Sequence, residues 1–303
     1  TVTVYKDGEE LGTAEADENG DWELVDPTTT YSHGSVVAYT AKQVDLAGNK
    51  SEVTDTFTAN IDTSAPFIGE AIGSQADLMV NTVTAGNQYA PKNAGLANGT
   101  FVTTWISGSG ADADVYAQRF DANGNKLGTE FRVNSYTTSY QGDPNAGEYY
   151  LDVTSITGGG FVVTWTSNGQ DGSFFGVYAQ RFTADGGKIG GEFLVNTITT
   201  NWQIAPQIAS LHDGGFVVAW ANASTGTYDV ATQRFDANGN KVGTETIVNT
   251  TTAQDQGAQV DVNQNGLSVA GLKNGGYVVT WFSENASGVA DDVFARIYKP
   301  DGT

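Results

Sequence analysis

The sequence predicts an all-β protein in two parts, a short β-sandwich over residues 1–63 and a four-bladed β-propeller over 64–303. Three observations carry this. Threonine, glycine and valine dominate and no stretch sustains a 3.6-residue apolar period. Asp-Gly and Asn-Gly dipeptides punctuate short alternating runs, supplying the positive φ angles of tight hairpins. Most tellingly, "VYAQRFDANGNKLGTEFRVN" (115–134) recurs at 177–196 and 230–249 and begins again at 293.

The repeat fixes its own register. Asn81, Asn134, Asn196 and Asn249 end a V-N element, and Gln88, Gln141, Gln203 and Gln256 follow seven residues later. Trp105, Trp165, Trp220 and Trp281 close the runs FVTTW, FVVTW, FVVAW and YVVTW, and Phe120, Phe182, Phe235 and Tyr298 close the next run. In the third unit the strands are 207–211, 215–221, 228–236 and 241–249, four per repeat as in a propeller blade. The FVVTW runs are apolar on both parities, so their tryptophans are expected in the core between sheets. The fourth unit lacks a fourth strand, while 68–81 ends like one. Pairing of that segment with the last unit would close the ring and remove the open edge; a larger ring cut short is the alternative.

The first part reads as strands at TVTVYK, LGTAEAD, WELV, SVVAYTAKQVD and VTDTFTANID. It is short for a seven-stranded sandwich. Because the chain opens inside a strand, one or two leading strands are expected to be missing from what reads as a piece of a longer protein.

Charge and composition exclude several classes. With 14 basic and 35 acidic residues the formal charge is -21, which argues against nucleic acid and anionic membrane as partners and favours divalent cations such as calcium. No apolar run approaches the ~20 residues of a membrane span. There is no cysteine, and only His33 and His212 are present. No nucleophile elbow, zinc pattern or S-x-D-x-G-x-x-W box appears, so the sequence reading is that the chain is not an enzyme. "DANGN" at 121–125 and 236–240 fails as a calcium loop, because glycine stands fourth where the metal loop needs it sixth; two-residue hairpin turns are expected instead. The recurrent Arg119, Arg181 and Arg234 are expected to tie neighbouring blades together.

Unit lengths alternate, 53 residues from Asn81 to Asn134, 62 to Asn196 and 53 to Asn249. The extra residues of units two and four fall before the first strand and between the second and third. Both connections emerge on one face of an antiparallel blade, so the site is expected there. That face collects Tyr149, Tyr150, Asp171, Phe174, Phe175, Glu284 and Asp291, with Tyr140 and Trp202 just before the repeated Gln, as a ligand-binding set. Asp152 and Asp261 are its metal candidates. Aromatics beside carboxylates suit calcium-assisted recognition of a sugar, or a peptide groove; loops that merely cover the channel mouth are the plain alternative.

Residues "DENGDW" (17–22), "AKQVDLAGNKS" (41–51) and "NIDTSAP" (60–66) resemble the bacterial immunoglobulin-like extender modules of giant repeats-in-toxin (RTX) type surface adhesins, and the long repeats resemble those of the same secreted proteins. The resemblance implies an immunoglobulin-like sandwich, calcium held by Asp45, Asn49 and Asp62, with Asp17, Asn19 and Asp21 a second set, and a secreted or cell-surface location. It implies a calcium-dependent, non-catalytic adhesin region, monomeric, that binds a glycan or peptide on a host or neighbouring cell beside further domains of its own chain. A structural spacer and a glycoside-processing propeller enzyme are the alternatives.

Overall fold

The computed structural model describes residues 1–17, 22–27, 36–44, 49–51, 56–60, 77–142, 151–252, 254–259, 264–284 and 291–303. The chain divides into two compact units, Thr1–Gln75 and Ala76–Thr303. In the first, β1 (Val2–Lys6), β2 (Glu9–Ala14), β3 (Val36–Gln43) and β4 (Phe57–Asn60) form one antiparallel sheet in the order β2-β1-β3-β4. Val2, Val4 and Ala41 form its small core, as two-residue alternation predicts.

The second unit contains β5 (Gln88–Gly95), β6 (Phe101–Ser107), β7 (Asp114–Phe120), β8 (Lys126–Arg132), β9 (Leu151–Ser155), β10 (Phe161–Asn168), β11 (Phe175–Phe182), β12 (Lys188–Leu194), β13 (Gln203–Ser210), β14 (Phe216–Asn222), β15 (Asp229–Phe235) and β16 (Lys241–Ile247). These make three four-stranded antiparallel sheets in sequence order, I, II and III. The two-residue β17 (Ala258–Gln259) and β18 (Gln264–Asn265) pair with each other, and β19 (Leu267–Gly271), β20 (Tyr277–Glu284) and β21 (Asp291–Tyr298) make a three-stranded sheet IV. First strands of successive sheets lie side by side, β5 by β9, β9 by β13 and β13 by β19, so the architecture is β-propeller-like. No comparable contact joins β19 back to β5 among the described residues. Residues 77–80 carry no strand, and among the described residues β21 pairs with β20 alone. The expected closing strand 68–81 otherwise lies largely outside the described residues.

The repeated residues form a repeated core. Phe101 stacks on Phe120, Phe161 on Phe182, Phe216 on Phe235 and Tyr277 on Tyr298, with ring centroids 4.8, 4.9, 4.8 and 4.5 Å apart. Trp165 and Trp220 are wholly buried between sheets, with Ile208 and Val218 among the neighbours of Trp220. The indole N–H of Trp105, Trp165 and Trp281 donates to the Oε1 of Gln88, Gln141 and Gln256, at 2.8, 2.9 and 3.1 Å. Sheet III departs from this: Gln203 donates to Thr200 O, and Trp220 Nε1 is buried without a partner. The glycine opening the second strand is obligatory where the chain crosses the aromatic pair, since a Cβ on Gly160 or Gly215 would stand 2.2 Å from the carbonyl oxygen of Phe182 or Phe235.

The V-N element closes sheets I to III. Val115, Val177 and Val230 N–H donate to Asn134, Asn196 and Asn249 Oδ1 at 2.8, 2.8 and 2.7 Å. The next sheet then holds the residues after that Asn. Glu192 accepts the N–H groups of Ser135 and Tyr136, and Glu245 those of Thr197 and Ile198. Arg119, Arg181 and Arg234 each donate to a backbone carbonyl in the hairpin of the following sheet, at Asp185, Asn238 and Pro300. Those hairpins are wider than the two residues expected. Phe120 pairs with Lys126 across five loop residues, and Asp121 Oδ1 accepts the Asn123 and Asn125 N–H groups at 2.9 and 2.8 Å. The Asp side chain thus mimics a backbone turn, with Gly124 at φ 82° completing it.

Asn196→Ala strands the buried Val177 N–H. Urea unfolding should show a loss of about 1–3 kcal/mol, the cost of an unmet buried donor, whereas Asn123→Ala in the exposed hairpin should cost within about 0.5 kcal/mol.

Candidate functional site

Two separate groups of side chains lie along the junction of sheets II and III. The first is a single carboxyl on a first strand. Asp152 is the second residue of β9, opposite Thr164 of β10, and register-equivalent positions on the other first strands carry Lys92, Gln207 and Ser268, opposite Thr104, Ala219 and Thr280. Its neighbours Leu151 and Val153 pack into the core shared with sheet I, so alternation turns Asp152 towards sheet III. There Oδ2 accepts the Ile208 N–H at 3.0 Å, and Oδ1 accepts the N–H of Val153 at 2.9 Å. Ile208 needs an outside partner because β13 is the edge strand of its sheet.

Burial pushes the Asp152 carboxyl above the ordinary aspartate range; the two N–H bonds and the charge of Lys92 oppose that shift and fall short of it. A half-buried carboxyl that keeps its proton to higher pH is suited to donating it, the property a general acid requires.

The second group is aromatic. Trp202 and Tyr140 occupy the same repeat position, each just before the buried Gln and after a non-glycine residue at φ 64°, Asn201 and Ser139. Phe175 stands between them, 5.7 Å from Trp202 edge-on at 86° and 5.9 Å from Tyr140. Phe175, Ile204, Ala205, Ala221 and Tyr228 back the cluster with a buried core. Outward, Trp202 is 37% exposed and Phe174 59%. A sugar's C–H face can stack on such rings, because they bring apolar area at little conformational cost.

The other expected residues fare differently. Asp171 turns inward: Oδ1 accepts the Ser173 N–H at 3.0 Å, and Oδ2 is buried without a hydrogen-bond partner and close enough to Gly176 that a Cβ there would stand 2.7 Å away. It works on its surroundings: the Tyr178 hydroxyl is pushed up to about 12, by burial first and then by the negative charges of Asp171 and Glu192. Glu284 and Asp291 are backbone register partners on β20 and β21. Asp17 and Asn49 lie exposed in the first unit. Tyr149, Tyr150, Asp45, Asp62, Asn19, Asp21 and Asp261 lie outside the described residues. Among the described residues no group of three or more His, Cys, Asp or Glu side chains could hold a metal ion, and no helix is long and apolar enough to cross a membrane. As for Asp152, expected as a metal ligand, both its oxygens are engaged by backbone N–H groups.

No family model matches the chain and no curated protein does. Solved structures similar to it include a protein of unknown function from Dyadobacter fermentans (12% identity, 74% of this chain and 68% of that one, TM-score 0.49). Others are the GH93 α-L-arabinofuranosidase of Fusarium graminearum in complex with arabinobiose (13%, 74% and 66%, TM-score 0.46) and the Penicillium chrysogenum α-L-arabinanase complexed with arabinobiose (14%, 95% and 79%, TM-score 0.44). The chain thus spans about two thirds of the length of the first two. At these identities and scores the likeness is one of architecture. The expected kinship with RTX-type adhesins and their immunoglobulin-like modules is corrected: neither a family model nor a curated protein supports it, and the activities named for the similar structures above are those of glycoside hydrolases. The expectation of a non-catalytic, calcium-dependent cell-adhesion or biofilm module falls with it, as does the reading that the chain is not an enzyme. That reading rested on the scarcity of His and Cys and on the absence of a nucleophile elbow, a zinc pattern and the S-x-D-x-G-x-x-W box; hydrolysis by a pair of carboxyls requires none of them.

For Asp152 the sign of the pH dependence follows from the raised pKa. The folded state binds this proton more tightly than the unfolded chain, so the carboxyl's contribution to stability is lost as pH rises through the folded pKa and is regained below the ordinary aspartate range. The stability difference, Asp152→Asn minus wild type, should therefore grow more positive as pH rises from below the ordinary aspartate range to neutral in urea unfolding. A difference that stays flat with pH would contradict the raised pKa.

Proposed function

We propose that the second unit is an oligosaccharide-processing β-propeller-like module, with Asp152 as general acid in cleavage of a glycosidic bond and Trp202 and Phe174 as a stacking platform for a neighbouring sugar. The single observation behind this is the half-buried Asp152 carboxyl on a first strand, held protonated to higher pH by burial. Cleavage by this route uses a second carboxyl as base or nucleophile. By sequence position Glu148, just before β9, and Asp261, between β17 and β18, are the candidates, with Tyr149 and Tyr150 beside the first. We take the four sheets to be the blades of one ring completed by residues 68–81, which would gather these connections on one face.

The ligand class, a glycan, agrees with the arabinobiose bound by the arabinofuranosidase and arabinanase named above. The acidic surface favours neutral or cationic saccharides over polyanionic ones. Reducing-end release from arabino-, xylo-, gluco- and manno-oligosaccharides tests the reading. We expect turnover of at least one of them, reduced by about 10²-fold or more in Asp152→Asn, since general acid catalysis contributes roughly that much. Trp202→Ala should instead raise KM with a smaller effect on kcat. Absence of turnover on every saccharide, or full activity in Asp152→Asn, would overturn the assignment.

Calcium enters the proposal as a structural ion of the acidic loops. Binding to the native state alone must raise the unfolding midpoint, so the midpoint in calcium should exceed that in chelator; equal midpoints would remove calcium from the account.

A further inference from the structure

The outer edge of β21 is built to receive a strand. In sheets I to III the stripe facing the next sheet is buried: Val115, Val177 and Val230 are each 0% exposed, and Ala117 and Ala179 likewise. In sheet IV the equivalent Val293 is 81% exposed and Ile297 70%. Ile297 also stands where the other sheets have the cross-sheet Arg, so this junction lacks that tie. The ladder pairs Val293 with Phe282. Phe282 turns its own N–H and C=O towards Gly266 and Gly257 on the far side, so this is a non-hydrogen-bonded pair and the N–H and C=O of Val293 point to the open edge.

At the other end of the unit, a strand terminus already sits half-seated. Lys126 and Glu130 of β8 hold Asn81 and Thr82 as the following sheets hold Ser135 and Thr197: Lys126 Nζ donates to Asn81 O at 3.2 Å, and Glu130 accepts the N–H of Thr82 and Val83. Asn81 has the posture of the three closing asparagines. Its Nδ2 donates to the carbonyl two residues on, at Val83 and 2.8 Å, as Asn134 does to Tyr136, Asn196 to Ile198 and Asn249 to Thr251. In those three, Oδ1 then takes the valine N–H of the sheet's third strand. Among the described residues no donor reaches Asn81 Oδ1. Asp77 stands four residues before Asn81, as Glu130, Glu192 and Glu245 stand four before theirs.

We propose that Asp77–Asn81 docks on the edge of β21, with Asn81 Oδ1 accepting the Val293 N–H and Val80 N–H donating to the Val293 carbonyl, which closes sheet IV and joins it to sheet I. This rests on the ring reading above and adds the residues that make the closure and their register. By the pattern of Tyr116 with Arg132 and Ala117 with Phe131, the docked segment places Met79 opposite Phe294 and Leu78 opposite Ala295. The seam is the weakest junction of the ring. It has Ile297 for arginine, and it sets the hydrogen-bonded pair Asn93 and Thr103 where the other sheets have two apolar side chains, Val153 and Val163 in sheet II.

The chain has no cysteine, so the register can be read directly with Leu78→Cys/Ala295→Cys. We expect that pair to form an intramolecular disulfide in mild oxidant, while Leu78→Cys/Ile297→Cys, out of register, does not. Hydrogen exchange over residues 291–298 should show Val293 protected in the wild-type chain and its protection lost in Asn81→Ala, with the unfolding midpoint falling by about 2–4 °C. Val293 exchanging as fast as an exposed amide in the wild-type chain would overturn the ring reading itself. Val293 protected, but with no disulfide and no change in Asn81→Ala, would overturn the docking of Asn81 and leave the ring standing.

Discussion

Radial sheets share one constraint, that each ends in strands whose outward N–H and C=O groups have no ladder partner. A buried group of that kind costs about 1–3 kcal/mol if left unmet, and four sheets multiply the debt. The repeat meets it with side chains placed at fixed positions. Where the fourth strand stops, an asparagine amide takes the next N–H of the third strand, and a glutamate of the next sheet takes the N–H groups that follow the asparagine. On the inner side, between sheets II and III, the partner of the Ile208 N–H is a carboxylate, Asp152.

That choice connects packing to chemistry. An amide or hydroxyl could accept the same hydrogen bond without a titratable proton. A carboxyl in this position is desolvated by the strands around it, and two N–H groups and Lys92 only partly offset the penalty on its charged form. The same local need that makes the edge stable therefore raises the pKa of this carboxyl, the property on which the proposed acid role draws. The aromatic cluster follows the same logic. Phe175, backed by its own buried core, meets Trp202 edge-on and leaves that ring partly exposed.

Much of the architecture was legible because it repeats. V-N, Gln, Trp and the closing aromatic each keep one role in almost every unit, and the sheet divisions, the buried tryptophans and the arginine ties follow from spacing. The hairpins are wider than dipeptides imply because Asp121 and Asp236 fold the loop around their own side chains. The site was harder to see. Asp152 lies at a position where the other units have Lys92, Gln207 and Ser268, so no repetition marks it, and its altered acidity comes from burial between two sheets distant in sequence. Read as one acid among many on an acidic chain, it suggested a metal ligand. Asp171 misled in the opposite way, since a loop carboxylate that looks available is turned into the protein.

The central claim is that Asp152 holds its proton above the pH at which an ordinary aspartate, with a pKa of about 3.9, loses it. Carbon-13 NMR of selectively labelled aspartates, assigned by comparison with Asp152→Asn, follows that carboxyl through its titration. The account predicts one aspartate resonance, absent from the variant, that titrates above all the exposed aspartates, Asp121, Asp185, Asp236 and Asp301 among them, whose carboxyls are held low by hydrogen bonds from their own turns. An Asp152 resonance titrating with or below that group would contradict it.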